Sequence, residues 1–296
     1  MPVLEERAAY KVFYRSMKAI SETQKSNKNF MQENSLKVAL KDIRAAIARY
    51  PLVAMLGWQD VRQRYRRSSL GPFWLTISMG VMIGTIGVVF GQIFNTPMQE
   101  YLPFLTIGIM LWGFISSVIT DGCAGFISAE GIIKQLPIPL FVHIQRMLWR
   151  NTLILCHNII IFPLAFYATG NSLSLTAFLS IPGFFLLLLN LAWAGLILAV
   201  SCARYRDLAQ IVGSILQVAF YITPIMWMPA LLPSRVGLSI LYANPIFHLL
   251  EIVRAPLLGK LPTMYSWIFS VALAVFGWVV AIVIYGRYKR RIAYWL

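Results

Sequence analysis

"RYRRSSLGPFWLTISMGVMIGTIGVVFGQIF" (64–94) sets three arginines within four positions directly against a long apolar run. At about 1.5 Å per helical residue, a run of this length can cross the roughly 30 Å hydrocarbon core of a bilayer. The arginines then have two readings, a nucleic-acid contact or the point where the chain enters a membrane. Composition favours the second. The 296 residues are 58% hydrophobic and only 12% charged, with a mean hydropathy of +0.68. A soluble domain carries about 25% charged residues, so this chain has too few to cover a globule of its size.

Apolar segments near 72–95, 101–121, 147–168, 176–200, 208–229 and 266–286 predict an all-α polytopic membrane protein with six transmembrane helices. The third segment contains Arg150 and His157, so the stretch before it (131–146) is either an elbow or the foot of the helix. Of the 26 Lys and Arg residues, all but Arg235, Arg254 and Lys260 fall on one side of this arrangement. Positive charge is retained on the cytoplasmic face, which predicts both termini inside and leaves nucleic acid without support. The organisation expected is a cytoplasmic extension (1–49), an amphipathic interfacial helix (50–71), a six-span domain (72–286) and a cytoplasmic tail (287–296).

The N-terminus carries acids and lacks an apolar core with a cleavage site, so no secretory signal peptide is expected. "SETQKSNKNFMQENS" (21–35) has linker composition. Beyond Ser35, Leu36, Leu40, Ile43, Ile47 and Tyr50 form a helical stripe that Pro51 ends. In the next helix Ala54, Trp58, Val61 and Tyr65 share one face, with Asp60 and the arginines on the other sides. Such a helix suits the water–lipid interface; an ordinary soluble amphipathic helix would have the same pattern.

The segment 229–262 falls on the outer side and is apolar and punctuated by proline. Asn244-Pro245 splits it, and Glu251 with Arg254 charges its second half. Two short re-entrant helices between spans five and six fit better than one crossing. Glu251 and Arg254, three apart, can pair. The segment reads either as an external gate, with Asn244, Pro245, Glu251 and Arg254 as its candidates, or as a structured loop on the bundle.

No catalytic constellation is found. "LLGKLP" (257–262) lacks the first glycine and the hydroxyl of a phosphate-binding loop. His143, His157 and His248 lie apart with no acid at metal spacing, so no metal site is expected. Cys123, Cys156 and Cys202 read as small buried residues. Asp121 is the one acid at a span's end and the span centres lack acids, which argues against proton or sodium coupling. A chain of this kind is expected to move something or to hold a partner that does, with its energy arriving from another subunit.

Gly80, Gly84, Gly87 and Gly91 share a face of the first span. That face either packs closely on a neighbour or leaves a smooth wall along a conduit. Aromatic residues crowd the spans: Phe73 and Trp74 at the mouth of the first, Phe90 and Phe94 at its far end, Phe220 and Tyr221 in the fifth. Most suit interfacial belts and packing; some could stack on sugar rings.

The stretches "DVRQRYRRSSLGPFWLTISMGVMIGTIGVVFGQIF" (60–94), "GIIKQLPIPLFVHIQR" (131–146), "ARYRDLAQIV" (203–212), "ITPIMWMP" (222–229) and "NPIFHLLEIVRAPLLG" (244–259) resemble, in order and spacing, the membrane subunits of ABC exporters for bacterial polysaccharides. These are the Wzm-type O-antigen permeases and their capsule and teichoic acid relatives. The likeness covers roughly residues 50 to 290 and leaves out the first forty-odd.

The resemblance implies a six-span homodimer in the inner membrane. It would pair with two copies of a cytoplasmic ATPase and export a glycan linked to undecaprenyl pyrophosphate. This chain would hold no cofactor, ATP and magnesium being on the partner. It further implies a coupling helix in 122–146, with Glu130 and Lys134 as contacts to the ATPase and Arg204 and Arg206 as a second contact. The conduit candidates are Phe73, Trp74, Gly80, Gly84, Gly87, Phe90, Gly91, Phe220 and Tyr221. Arg62, Arg64, Arg66 and Arg67 would lie at the depth of the inner-leaflet phosphates. There they either recognise the substrate pyrophosphate, which a guanidinium fork suits, or anchor the span to anionic lipid. Export of another amphiphile or drug, and a membrane-embedded glycan or polyprenyl transferase, are the alternatives.

Overall fold

The computed structural model describes residues 35–66, 73–231, 239 and 241–296. The described residues fold almost entirely into helices: α1 (35–48), α2 (Tyr50–Tyr65), α3 (Phe73–Ile93), α4 (Met98–Cys123), α5 (Glu130–Gln135), α6 (Phe141–Asn158), α7 (Ile161–Ala168), α8 (Ser180–Arg204), α9 (Leu208–Ile222), α10 (Pro245–Leu257) and α11 (Met264–Trp295). The linker 21–35, all but Ser35, and Arg67 lie outside the described residues.

Five stretches are long and apolar enough to cross a bilayer: 73–93, 98–123, 141–168, 175–204 and 264–295. They match five of the six predicted spans. The third starts earlier than expected, so the foot of α6 begins at Phe141 and the elbow is confined to the residues between α5 and α6. It also bends between α6 and α7, because the ring of Pro163 clashes with the carbonyl four residues back, at Ile159. The expected tail (287–296) continues α11 as helix.

The fifth expected span, 208–229, is helical over only part of its length. Its helix α9 stops at Ile222 after 15 residues, about 22 Å, which is shorter than the hydrocarbon core. Pro224 is the cause, because the residue before a proline is driven out of the helical region, and Thr223 is extended (ψ 137°).

Helix α4 is the central post, two-thirds buried, whereas α3 is only 11% buried and lies on the rim. Post and neighbour meet closely where α4 crosses α8: a Cβ on Gly122 would lie 3.0 Å from the Gly195 Cα. Asn190 and Trp193 join α8 to α11, through Asn190 Nδ2 donating to the Ser270 carbonyl (3.1 Å) and Trp193 Nε1 donating to Asn190 Oδ1 (3.1 Å).

In both N-terminal helices the face toward the bundle includes small residues, while several large apolar residues stay exposed. In α1 the buried residues are Ala39, Asp42, Ile43 and Ala46, while Leu40 and Ile47 are half exposed. In α2 they are Val53, Gly57 and Val61, with Trp58 56% exposed. The reason is close docking on other helices. A Cβ on Gly286 of α11 would lie 2.6 Å from the Ser35 carbonyl oxygen, and one on Gly57 would lie 2.6 Å from Trp149 Cδ1 of α6. Close approach selects the small face over the large apolar one.

Candidate functional site

Three regions carry the polar chemistry. The first is at the basic end of the bundle, where α2 lies across the foot of α6. Arg146 there grips Asp60 with both Nε (2.7 Å) and Nη2, a fork-to-fork contact. Arg150 reaches Asp60 (3.6 Å) with one nitrogen and Asp121 (2.7 Å) with another. Asn151 also donates to Asp121 (2.7 Å). This chain of alternating charges joins α2, α6 and the end of α4. Spacing in the sequence does not show it, because Asp60 and Arg146 are 86 positions apart.

Arg64 lines a cleft of about 300 Å³ beside this network, with Asp60, Gln63, Asp121 and Arg150. Arg62 and Arg66 are exposed on another side of the helix end, so the three described arginines do not converge as one group. Tyr65 turns inward and burial raises the pKa of its phenol, against the pull of Arg64. Asp60→Ala would leave the Arg146 and Arg150 guanidiniums without their shared acceptor. It is expected to cost about 2–3 kcal/mol, read as a lower midpoint of thermal unfolding in detergent, with Asp60→Asn in between.

The segment after α4 holds the second region. Glu130 and Lys134 pair across one turn of α5 (2.6 Å). The hydrogen bond and charge of Lys134 hold the Glu130 carboxyl below the usual range, with Arg206 adding to the effect. Arg206 thus brings the second expected contact loop, 201–207, within electrostatic range of the first, 122–146. Arg204 turns aside instead, over the rings of Tyr205 and Trp295 (5.0 and 5.4 Å).

At the opposite end a non-helical strap, 223–228, follows the break in α9 and is pinned from several sides. Tyr101 Oη donates to the Met226 carbonyl (2.7 Å). Arg254, 1% exposed, donates to the Pro224 carbonyl (2.6 Å) and to Glu251 (2.9 Å), and its guanidinium lies 4.2 Å from the Phe104 ring centre. Asn244 caps α10 by accepting from the Ile246 and Phe247 amides (2.9 and 3.4 Å), and its Nδ2 donates to Thr223 Oγ1 (2.8 Å). Pro245 occupies the first helical position, where its missing N–H costs nothing. A Cβ on Gly108 would meet the Ile225 carbonyl at 2.8 Å, so the strap lies directly on the post. Asn244, Pro245, Glu251 and Arg254 thus belong to one assembly, as their spacing predicts; Tyr101, Phe104 and Thr223 complete it.

The glycine face of α3 divides. Gly87 and Gly91 pack against Leu102 and Tyr101 of α4, whereas Gly80 and Gly84 have nothing within 4 Å. Phe73, Trp74 and Tyr221 are exposed, Phe90 packs on Phe94 (5.6 Å) and Phe220 on Trp112 (5.6 Å). His157 bonds within its own helix to the Leu153 carbonyl (3.0 Å). Of the cysteines, Cys123 and Cys202 are buried as expected, but Cys156 is exposed. Among the described residues no group of three or more His, Cys, Asp or Glu is placed to hold a metal.

The profile of the ABC-2 type transporter family matches residues 51–258, from the start of α2 to the end of α10. An O-antigen export system permease protein RfbA of Klebsiella pneumoniae is 23% identical over 199 residues, 67% of this chain and 76% of that protein. One of Myxococcus xanthus is 23% identical over 215 residues, covering 69% and 79%.

Proposed function

This chain belongs to the ABC-2 type transporter family, and on that premise we propose that it is the permease of an exporter carrying an O-antigen-class glycan, linked to undecaprenyl pyrophosphate, across the bacterial inner membrane. Two copies form the passage and two copies of a separate cytoplasmic ATPase drive it, holding the ATP and magnesium. The basic end faces the cytoplasm, and α9 with its strap supplies the sixth crossing. The observation that carries this reading is the family match together with the named relatives, which are permeases of O-antigen export.

In this reading Glu130, Lys134 and Arg206 meet the ATPase, with Arg204 beside them. Asp60, Arg146, Arg150 and Asp121 pass the movement of that segment to α2 and α6. The strap and α10 close the outer mouth, and the open half of α3, with Gly80, Gly84, Phe73 and Trp74, borders the path together with Tyr221. Gly87, Phe90, Gly91 and Phe220 back that wall.

Arg64, in its cleft, is the principal contact for the substrate's pyrophosphate, and Arg62, Arg66 and Arg67 add positive charge around it at the same leaflet. The experiment replaces Arg64, Arg66 and Arg67 with glutamine and measures glycan at the cell surface, after insertion and ATPase assembly are verified. At least a tenfold loss of export is expected, with basal ATP hydrolysis kept. Unchanged export would assign the arginines to lipid anchoring. A chain that exports with no ATPase present would overturn the larger reading.

A further inference from the structure

Helix α1 lies outside both the family match (51–258) and the regions discussed so far, yet it is docked firmly on the bundle. Asp42, 6% exposed, accepts from the Phe141 amide (3.1 Å) and from Tyr285 Oη (2.6 Å), and pairs with Lys289 (2.6 Å). Phe141 is where the third apolar stretch starts, and Tyr285 is where α11 passes from apolar residues to Arg287 and Lys289. These contacts hold α1 against the foot of α6 and against α11 where its apolar run gives way to cations.

Around α1, at 100° per residue, three sectors follow one another. Asp42, Ala46, Ala39 and Ile43 face the bundle. Leu36, Ile47 and Leu40 come next, within about 40° of one another, with Leu40 52% and Ile47 56% exposed. Arg44, Lys37 and Lys41 fill the adjoining sector, all exposed. None of these three cations forms an ion pair among the described residues. The apolar edge continues past the bend into α2 through Tyr50, Met55 and Trp58, which are 73%, 58% and 56% exposed.

We propose that α1 is a membrane-surface helix whose partner is the anionic phospholipid of the leaflet at the basic end. Leu36, Leu40 and Ile47 enter the acyl boundary while Lys37, Lys41 and Arg44 lie against headgroup phosphates. Depth and charge both select this occupant. A helix held at the foot of the spans has its apolar edge at the acyl boundary, and a row of cations with no ion pair among the described residues complements anionic headgroups. The amphipathic sectors are those of interfacial helices, and each Lys or Arg near an anionic surface strengthens attachment about fivefold. The proposal depends on membrane insertion alone and not on what is transported.

The test is spin labelling of the full-length protein in nanodiscs, in a Cys156→Ser background. Labels are placed singly by Leu40→Cys, Ile47→Cys and Lys41→Cys, and their relaxation is compared with oxygen, which partitions into lipid, and with a water-soluble nickel chelate. In discs containing phosphatidylglycerol, the labels at 40 and 47 are expected to favour oxygen and the label at 41 the chelate. Lipid of zwitterionic headgroup only, or Lys37→Gln, Lys41→Gln and Arg44→Gln together, should reduce the oxygen preference at 40 and 47. Chelate access at 40 and 47 in anionic discs would overturn the proposal. So would loss of access to both agents only on adding the ATPase or on dimer formation, which would give this face a protein partner. Insensitivity to headgroup charge would remove the anionic lipid from it.

Discussion

Asp42→Ala is expected to destabilise the protein by about 3–5 kcal/mol, the range for breaking a buried charge pair from one side. The carboxylate has no substitute among its neighbours. Its removal strands the Phe141 amide and the Tyr285 hydroxyl, both buried, and leaves Lys289, 23% exposed, without its acid. A buried donor left unmade costs about 1–3 kcal/mol by itself. Asp42→Asn keeps an acceptor for the amide and the phenol but loses the charge, so about half the effect is expected. The measurement is thermal unfolding in a mild detergent, beside limited proteolysis of the segment before α2. The alanine variant should melt well below the parent and be cut before α2 at temperatures where the parent is intact. Coincident melting curves for parent and alanine variant would mean that α1 is not held by this carboxylate.

Arg254→Met is expected to release the strap between α9 and α10. The guanidinium reaches the Pro224 carbonyl, Glu251 and the Phe104 face together. Methionine fills much of the volume but cannot donate, so the Pro224 carbonyl is left buried and unpaired. Lysine in its place keeps the charge but not the planar fork or the stacking, and should recover only part of the function. With about 3 kcal/mol lost locally, backbone amides of 225–228 should exchange with solvent about a hundredfold faster. The core of α4 and α8 should exchange as before. If the strap closes the outer mouth as proposed, export should fall at least tenfold. If exchange in the strap is unaltered, Arg254 has no part in holding it.

How far such features can be read in advance depends on how local their causes are. Spans follow from length and apolarity, and the cap at Asn244-Pro245 follows from side chains acting within one turn, so both were legible. So was the Glu251–Arg254 pair. Pro224 was visible too, yet the apolar run through "ITPIMWMP" outweighed it, and the fifth span was drawn seven residues beyond the end of α9. The faces that α1 and α2 turn to the bundle are not marked by their large apolar residues. Packing helix on helix instead favours Ala39, Ala46 and Gly57. The polar anchors were hidden for another reason. Asp42 and Tyr285 are 243 positions apart, and Arg150 meets acids from two different helices. Only the fold brings them together. The glycines of α3 were seen as one face, but only Gly87 and Gly91 lie against a neighbouring helix.

Helix α11 runs for 32 residues, about 48 Å, with no proline along it. Near its start Ser266 donates to His248 of α10 (2.9 Å), and near its end Tyr285 and Lys289 hold Asp42. A shaft without a joint cannot absorb a displacement partway along. A tilt imposed where α1 grips it must therefore reappear, reversed about its crossing with α8, beside the strap on the far side of the membrane.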